Sequence, residues 1–154
     1  MPQTLHVELA SDKHAYALAK LHAGAFYRGW SIDEFAAFIN NPSRTPVFIS
    51  LDKNQKIAGF VIIRKVADEA ELLSIVVDEK KRSKGVASSL MKAMFADLFT
   101  SPAQKIFLEV EEENLSALKL YNKFGFEIIG NRQAYYEKAQ GEKANALVMA
   151  LTLD

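Results

Sequence analysis

Residues 75–87 read IVVDEKKRSKGVA, and this stretch decides the fold. An apolar run of strand length enters a short, mostly basic loop, and Gly85 then begins a segment with helical periodicity. The apolar stripe of this helix, predicted from about residue 85 to residue 99, consists of Ala87, Leu90, Met91, Met94 and Leu98. A buried strand that leads into an amphipathic helix is typical of a mixed α/β protein.

The segments around this stretch are further strands and helices. The patterns predict strands at 5–9, 47–51, 57–66, 72–77, 106–110, 126–130 and 146–153. They predict helices at 12–26, from residue 31 onward, at 85–99 and at 114–124. The chain length predicts one domain over residues 1–154. The order β-α-α-β-β-β-α-β-α-β-β predicts a mixed sheet with helices on both of its faces.

The composition excludes several classes of function. The chain has 154 residues, 19 basic and 19 acidic side chains and no cysteine. The absence of cysteine excludes disulfides, thiolate nucleophiles and cysteine zinc sites. The zero net charge argues against direct nucleic-acid binding. Residues 1–10 lack a signal-peptide pattern, and no apolar run has the ~20 residues of a membrane helix, so we expect a cytoplasmic protein without a membrane partner.

The histidines are His6, His14 and His22, and none of them forms a helical metal-ligand pair. The position of His22 on an amphipathic helix favours ordinary packing. The sequence therefore predicts no metal site and leaves acid–base chemistry to carboxylates, tyrosine or lysine.

The basic loop is a candidate anion site. The first turn of a helix presents unpaired N–H groups, Gly85 permits close approach of a ligand, and Arg82 and Lys84 add positive charge. The spacing matches neither a P-loop nor a dinucleotide fingerprint. By itself it is also compatible with a solvated basic loop before a helix.

A second group of candidate residues lies on the next predicted strand, at 106–110, and on the helix that follows it. Glu109 stands within an apolar run on the same face as Phe107, and a buried carboxylate is costly without a partner or a task. Asn114, Leu118 and Tyr121 fall on one helical face, so Tyr121 and Glu109 could face one cleft. The simpler interpretations are an edge-strand charge for Glu109 and core packing for Tyr121.

These two regions together resemble the GNAT superfamily of N-acetyltransferases. Residues 82–87 read RSKGVA, which resembles the pyrophosphate loop R/Q-x-x-G-x-G/A. Residues 108–126 carry LEV, then Asn114, then ALKLYNKFGF, which resembles the second signature of the superfamily. The resemblance implies a twisted, mostly antiparallel mixed sheet of about seven strands and the use of acetyl-CoA.

The resemblance also implies roles for particular residues. It makes Glu109 the general base and Tyr121 the general acid of a direct acetyl transfer. It implies contacts to acetyl-CoA from Ile75, Val76, Val77, Arg82, Ser83, Lys84, Gly85, Val86, Ala87, Ser88 and Asn114.

The chain is most similar to the bacterial family of ribosomal-protein-alanine N-acetyltransferases. The similarity lies in WS at 30–31 with Phe35, DEA at 68–70, YY at 135–136, GE at 141–142 and ALVM at 146–149. It implies that the acceptor is a protein N-terminus, possibly that of a small-subunit ribosomal protein, contacted by Trp30, Tyr135 and Tyr136. It does not define the oligomeric state.

Two positions depart from the family pattern. Ala87 stands where the family usually has Gly, and Ala-Asn-Ala at 144–146 stands where it usually has Glu-Asp-Ala. A small-molecule amine acetyltransferase and a non-catalytic CoA-binding module stay open as alternatives.

Overall fold

Seven strands form a single sheet in the part of the chain that the structure describes. This structure, a computed structural model, describes residues 5–25, 29–137 and 143–153, with the backbone alone for 133–137 and 143–144. The strands are β1 (His6–Leu9), β2 (Val47–Leu51), β3 (Ile57–Val66), β4 (Glu69–Val77), β5 (Lys105–Glu111), β6 (Glu127–Glu137) and β7 (Lys143–Thr152). The α-helices are α1 (Ala15–Ala23), α2 (Ile32–Ile39), α3 (Val86–Phe99) and α4 (Leu115–Lys123).

The predicted order of elements is confirmed, and the differences lie at their ends. A 3-10 turn at Asp12–His14 precedes α1, and β4 begins at residue 69 rather than 72. The start of β4 is charged and therefore lacks an apolar pattern. It is paired nonetheless, because Glu71 lies opposite Arg64 on β3 and accepts a hydrogen bond of 2.6 Å from its guanidinium.

The spatial order of the strands is β1-β2-β3-β4-β5-β7-β6. All neighbouring pairs are antiparallel except β4 and β5, which are parallel and joined through α3. The predicted mixed, mostly antiparallel sheet is confirmed.

Each face of the sheet is covered by a pair of helices. On the α3–α4 face, Leu90 and Met94 of α3 and Tyr121 of α4 pack on β3, β4 and β5. On the α1–α2 face, Leu18 of α1 and Phe35 of α2 pack on β2 and β3. Both faces of the central strands are buried, which explains their continuous apolar runs.

The pairing of β4 with β5 is short. Hydrogen-bonded partners join residues 69–71 of β4 to residues 105–107 of β5, whereas the strands continue to Val77 and Glu111. Their outer edges stay paired with β3 and β7 over this length. The sheet therefore contains an opening, bounded by 72–77 of β4 and 108–111 of β5, which we call the β4–β5 opening.

Among the helices in the described ranges, none is long and apolar enough to cross a membrane.

Candidate active site

The β4 side of the opening carries three of the predicted ligand-binding residues. The side chains of Ile75 and Val77 pack in the core of the α3–α4 face, and that of Val76 packs in the core of the opposite face. The side chains thus lie above and below the sheet, and the backbone edge borders the opening. Such an edge can hydrogen-bond an extended ligand that carries amide groups, in the manner of an added strand.

A loop at the end of β4 leads to the N-terminus of α3. Ser83 and Gly85 both adopt left-handed backbone conformations, with φ of 63° and 82°. For a residue with a side chain, this conformation costs about 1–2 kcal/mol. Left-handed residues in a turn direct successive N–H groups into one concavity, which suits an anion.

The start of α3 is electropositive. Its first turn contains no acidic side chain, while Arg82 and Lys84 lie exposed just before it. Lys123, from the last turn of α4, donates a hydrogen bond of 3.0 Å to the hydroxyl of Ser88. The helix dipole adds positive potential at the same end. Local sequence patterns do not predict a role for Lys123, because its contact depends on the packing of α4 beside α3.

A pocket of about 250 Å³ lies beside this loop. It is lined by Leu5, Asp52, Lys53, Ala58, Lys81, Lys84 and Val86. Within it, the ammonium group of Lys81 lies 3.4 Å from the carboxylate of Asp52. Backbone hydrogen bonds, first from Lys56, lower the pKa of Asp52, so this carboxylate stays charged opposite Lys81.

Glu109 borders the opening from the side of β5. Its neighbours Leu108 and Val110 are buried in the core of the α3–α4 face, so the carboxylate of Glu109 lies on the opposite face. Its side chain is 23% exposed, and Nη1 of Arg132 donates a 2.7 Å hydrogen bond to Oε1. β5 lies between β4 and β7 and is therefore an inner strand, but at Glu109 its edge toward β4 borders the β4–β5 opening.

Arg132 is a site residue that sequence reasoning missed. It lies on β6, and β7 is the one strand between β6 and β5 in the sheet. Its side chain extends across β7 to Glu109. This order of strands could not be obtained from the pattern of apolar residues.

Tyr121 lies on the other face of the sheet. Its side chain is buried in the same core as Leu108 and Val110, and its ring meets that of Phe126 at 5.8 Å in an edge-on contact. The expectation that Tyr121 and Glu109 face one cleft therefore needs correction. They approach the sheet from opposite faces, because side chains alternate along β5.

Asn114 is the N-cap of α4, and two residues separate it from the end of β5. Its Oδ1 accepts hydrogen bonds of 3.2 Å from the backbone N–H of Ala117 and the hydroxyl of Ser116. The side-chain carbonyl therefore caps the helix, and its amide N–H groups are the donors available to a ligand.

The contacts of Asn145 account for an asparagine at the position where the family pattern has aspartate. Its amide donates a 3.2 Å hydrogen bond to the carboxylate of Glu112, and its backbone carbonyl accepts one of 3.0 Å from the N–H of the same residue. An aspartate at this position would place two carboxylates side by side, whereas an asparagine supplies a donor.

On the α1–α2 face, Trp30 packs beside a buried histidine. The rings of Trp30 and His22 are stacked at 4.4 Å, and the backbone N–H of Trp30 donates to Nδ1 of His22 at 3.1 Å. Burial lowers the pKa of His22 to about 4, so the ring is neutral. The packing expected for His22 is confirmed. The side chains of Tyr135 and Tyr136, and residues 141–142, lie outside the described part.

No group of three possible metal ligands among histidine, aspartate and glutamate converges within the described ranges.

The chain is similar to a group of known acetyltransferases. The family model Acetyltransferase (GNAT) matches residues 15–126. A ribosomal protein bS18-alanine N-acetyltransferase of Haemophilus ducreyi is 32% identical over 147 residues, covering 96% of this chain and 99% of that protein. The enzyme of the same name from Haemophilus influenzae is 36% identical over 124 residues, covering 80% and 82%. The crystal structure of the ribosomal-protein-S18-alanine N-acetyltransferase from Escherichia coli superposes with a TM-score of 0.86 at 26% identity, covering 98% of this chain and 95% of that one.

Proposed function

The chain belongs to the GNAT family of acetyltransferases, which use acetyl-CoA, and we propose that it acetylates the N-terminal α-amine of a protein. The observation that carries the proposal is the β4–β5 opening, with Glu109 on one face of the sheet and Tyr121 on the other. An acyl group placed in this opening is accessible to an amine from one face and to a proton donor from the other.

The residues around the opening fit acetyl-CoA, which supplies an acetyl thioester on a long arm that carries amides and phosphates. Arg82 and Lys84, with the N–H groups of 83–88, hold the pyrophosphate at the start of α3. The backbone of 75–77 hydrogen-bonds the amides of the arm, and Asn114 contacts the arm from the start of α4.

The transfer is direct in this proposal, and the absence of cysteine supports it by excluding an acetyl-thiol intermediate. Glu109 accepts a proton of the acceptor amine through a water molecule. The amine nitrogen bonds to the acetyl carbon as the carbon–sulfur bond breaks, and the hydroxyl of Tyr121 donates its proton to the departing sulfur.

Two features support a protein N-terminus as the acceptor. The relatives from Haemophilus are named for the alanine of ribosomal protein bS18. The acidic run at 111–113 follows directly on the strand of Glu109 and favours the approach of a cationic terminus. A free α-amino group has a pKa of about 7.7–8.0, so a substantial fraction is neutral near neutral pH.

Mass spectrometry of reacted peptides tests this proposal. One peptide has a free N-terminal alanine and an internal lysine, and its control has the same sequence with a blocked N-terminus. We expect one acetyl group on the α-amine of the first peptide and none on the second. Acetylation of lysine, spermidine or an aminoglycoside alone would indicate a different acceptor, and acetyl-CoA binding without any product would indicate a non-catalytic module.

A further inference from the structure

Two serine hydroxyls are buried without a hydrogen-bond partner in the described part of the chain. Ser74 on β4 is 5% exposed, Ser50 on β2 is fully buried, and the Oγ atom of each lacks a partner there. Buried hydroxyls nearly always form a hydrogen bond, because losing water without replacement is unfavourable. Each of the two therefore requires an explanation.

Ser74 lies at an irregularity in β4. Opposite β3, Leu72 pairs with Ile63 and Ser74 pairs with Ile62, so Leu73 is an extra residue in the strand. Such a bulge changes which side chains face each side of the sheet. Beyond it, Ile75 faces the α3–α4 core, so Ser74 faces the α1–α2 side.

The bulge also brings Ser74 to the level of Glu109. The parallel pairing of β4 with β5 ends with Glu71 beside Phe107. Counting onward, residue 72 corresponds to 108, and because Leu73 is extra, Ser74 corresponds to Glu109. Both side chains lie on the α1–α2 side, and they belong to the two strands that border the β4–β5 opening.

A neutral primary amine has a geometric match to this pair. It carries one lone pair and two N–H groups, and the lone pair must point at the acetyl carbon. One N–H gives its proton to Glu109 through water, which leaves the second N–H for another acceptor. A hydroxyl oxygen has two lone pairs for this purpose.

We propose that Oγ of Ser74 accepts a hydrogen bond from the acceptor amine and orients its lone pair toward the acetyl carbon. This inference rests on the proposed function in assuming an amine acceptor. It identifies a substrate-binding residue in a buried position where the hydroxyl has no partner among the described residues.

Ser50 provides a matched control. It has the same side chain, a similar burial and the same lack of a described partner. It pairs with Val7 and Gly59, two strands away from β4, and so does not border the opening. Replacing Ser50 by alanine also removes a buried hydroxyl, but at a position where the acceptor amine does not bind in this proposal.

The test compares Ser74→Ala with Ser50→Ala in steady-state kinetics on the alanine peptide and in calorimetric titration with acetyl-CoA. We expect Ser74→Ala to lower kcat/KM for the peptide by about 10-fold, which corresponds to one lost hydrogen bond, with an unchanged Kd for acetyl-CoA. Ser50→Ala keeps both values, and both variants keep the melting temperature or raise it.

Wild-type kcat/KM in Ser74→Ala would overturn the inference and leave the proposed function intact. If the wild-type chain acetylates only a small amine, the proposed acceptor is wrong, and the same pair of variants is measured on that amine, because the contact is to nitrogen. If the wild-type chain acetylates no amine, both the proposed function and the inference on Ser74 are wrong.

Discussion

The substitution Gly59→Ala should displace the loop between β4 and α3, although residue 59 lies on β3 and outside this loop. Gly59 lies on β3 opposite Val77, the last residue of β4. A Cβ atom at this position would lie 2.8 Å from the carbonyl oxygen of Val76, 3.1 Å from Val86 and 3.2 Å from Leu90. The first of these atoms is backbone, and the other two belong to the beginning of α3. The added methyl group therefore forces apart β4 and α3, the two elements that meet at the loop.

The size of the effect follows from these contacts. Overpacking of a close-packed interior typically costs about 1–3 kcal/mol. We expect the free energy of unfolding to fall by this amount, and the affinity for acetyl-CoA to fall by at least ~10-fold, because the loop and the β4 edge shift relative to each other. Gly130→Ala is the matched control, since its nearest new neighbour, Cβ of Val148, is 4.0 Å away.

Urea unfolding and calorimetric titration with acetyl-CoA measure the two effects in both variants. If Gly59→Ala unfolds at the same urea concentration as Gly130→Ala and binds acetyl-CoA as tightly, α3 can move away without cost. The close packing of α3 on β3 would then have no part in forming the site.

Three further outcomes follow from individual side chains. Glu109→Gln should lower kcat/KM by about 10²–10⁴ in initial-rate assays, and the loss should shrink toward high pH as more of the amine becomes neutral; a constant loss would make Glu109 a positioning group. Tyr121→Phe should keep the calorimetric Kd for acetyl-CoA and lose turnover at every pH, whereas wild-type turnover would leave Tyr121 a packing residue. Burial holds the pKa of His22 at about 4 against 6.5 when unfolded, so acid protonates the unfolded state first. The free energy of unfolding should therefore fall by up to about 3 kcal/mol as the pH drops from 6.5 to about 4. Urea titrations of His22→Gln should lack the part of this fall that His22 causes.

Local patterns predict the elements of this fold well. Within the predicted stripe of α3, Leu90, Met91, Met94 and Leu98 are fully enclosed, and Ala87 is half-buried. The start of α2 is predicted equally well, because Ser31 and Glu34 form the reciprocal capping hydrogen bonds that their spacing predicts. Both features depend on residues within a few positions of each other.

The geometry of the site depends on contacts that no local pattern contains. An apolar strand has the same sequence pattern whether its edge is hydrogen-bonded or open, so the β4–β5 opening was not predictable. The ion pair of Glu109 with Arg132 likewise depends on the order in which β5, β7 and β6 assemble. The expectation of one shared cleft needs correction for another reason, because side chains alternate along β5 and Tyr121 packs on the face of Leu108 rather than on that of Glu109.

The extra residue Leu73 determines which face of the sheet Ser74 and Ile75 occupy. In a strand of regular alternation, Ser74 would share the α3–α4 face with Leu72, and its hydroxyl would lie in an apolar core. With the bulge, Ser74 turns to the face of Glu109, and Ile75 takes its place against the α3–α4 core. One inserted position therefore places a polar side chain on the side from which the proposed amine approaches, and an apolar side chain against the α3–α4 core. The burial of this hydroxyl without a partner in the described part of the chain is thus a consequence of the same irregularity that lies beside the opening in the sheet.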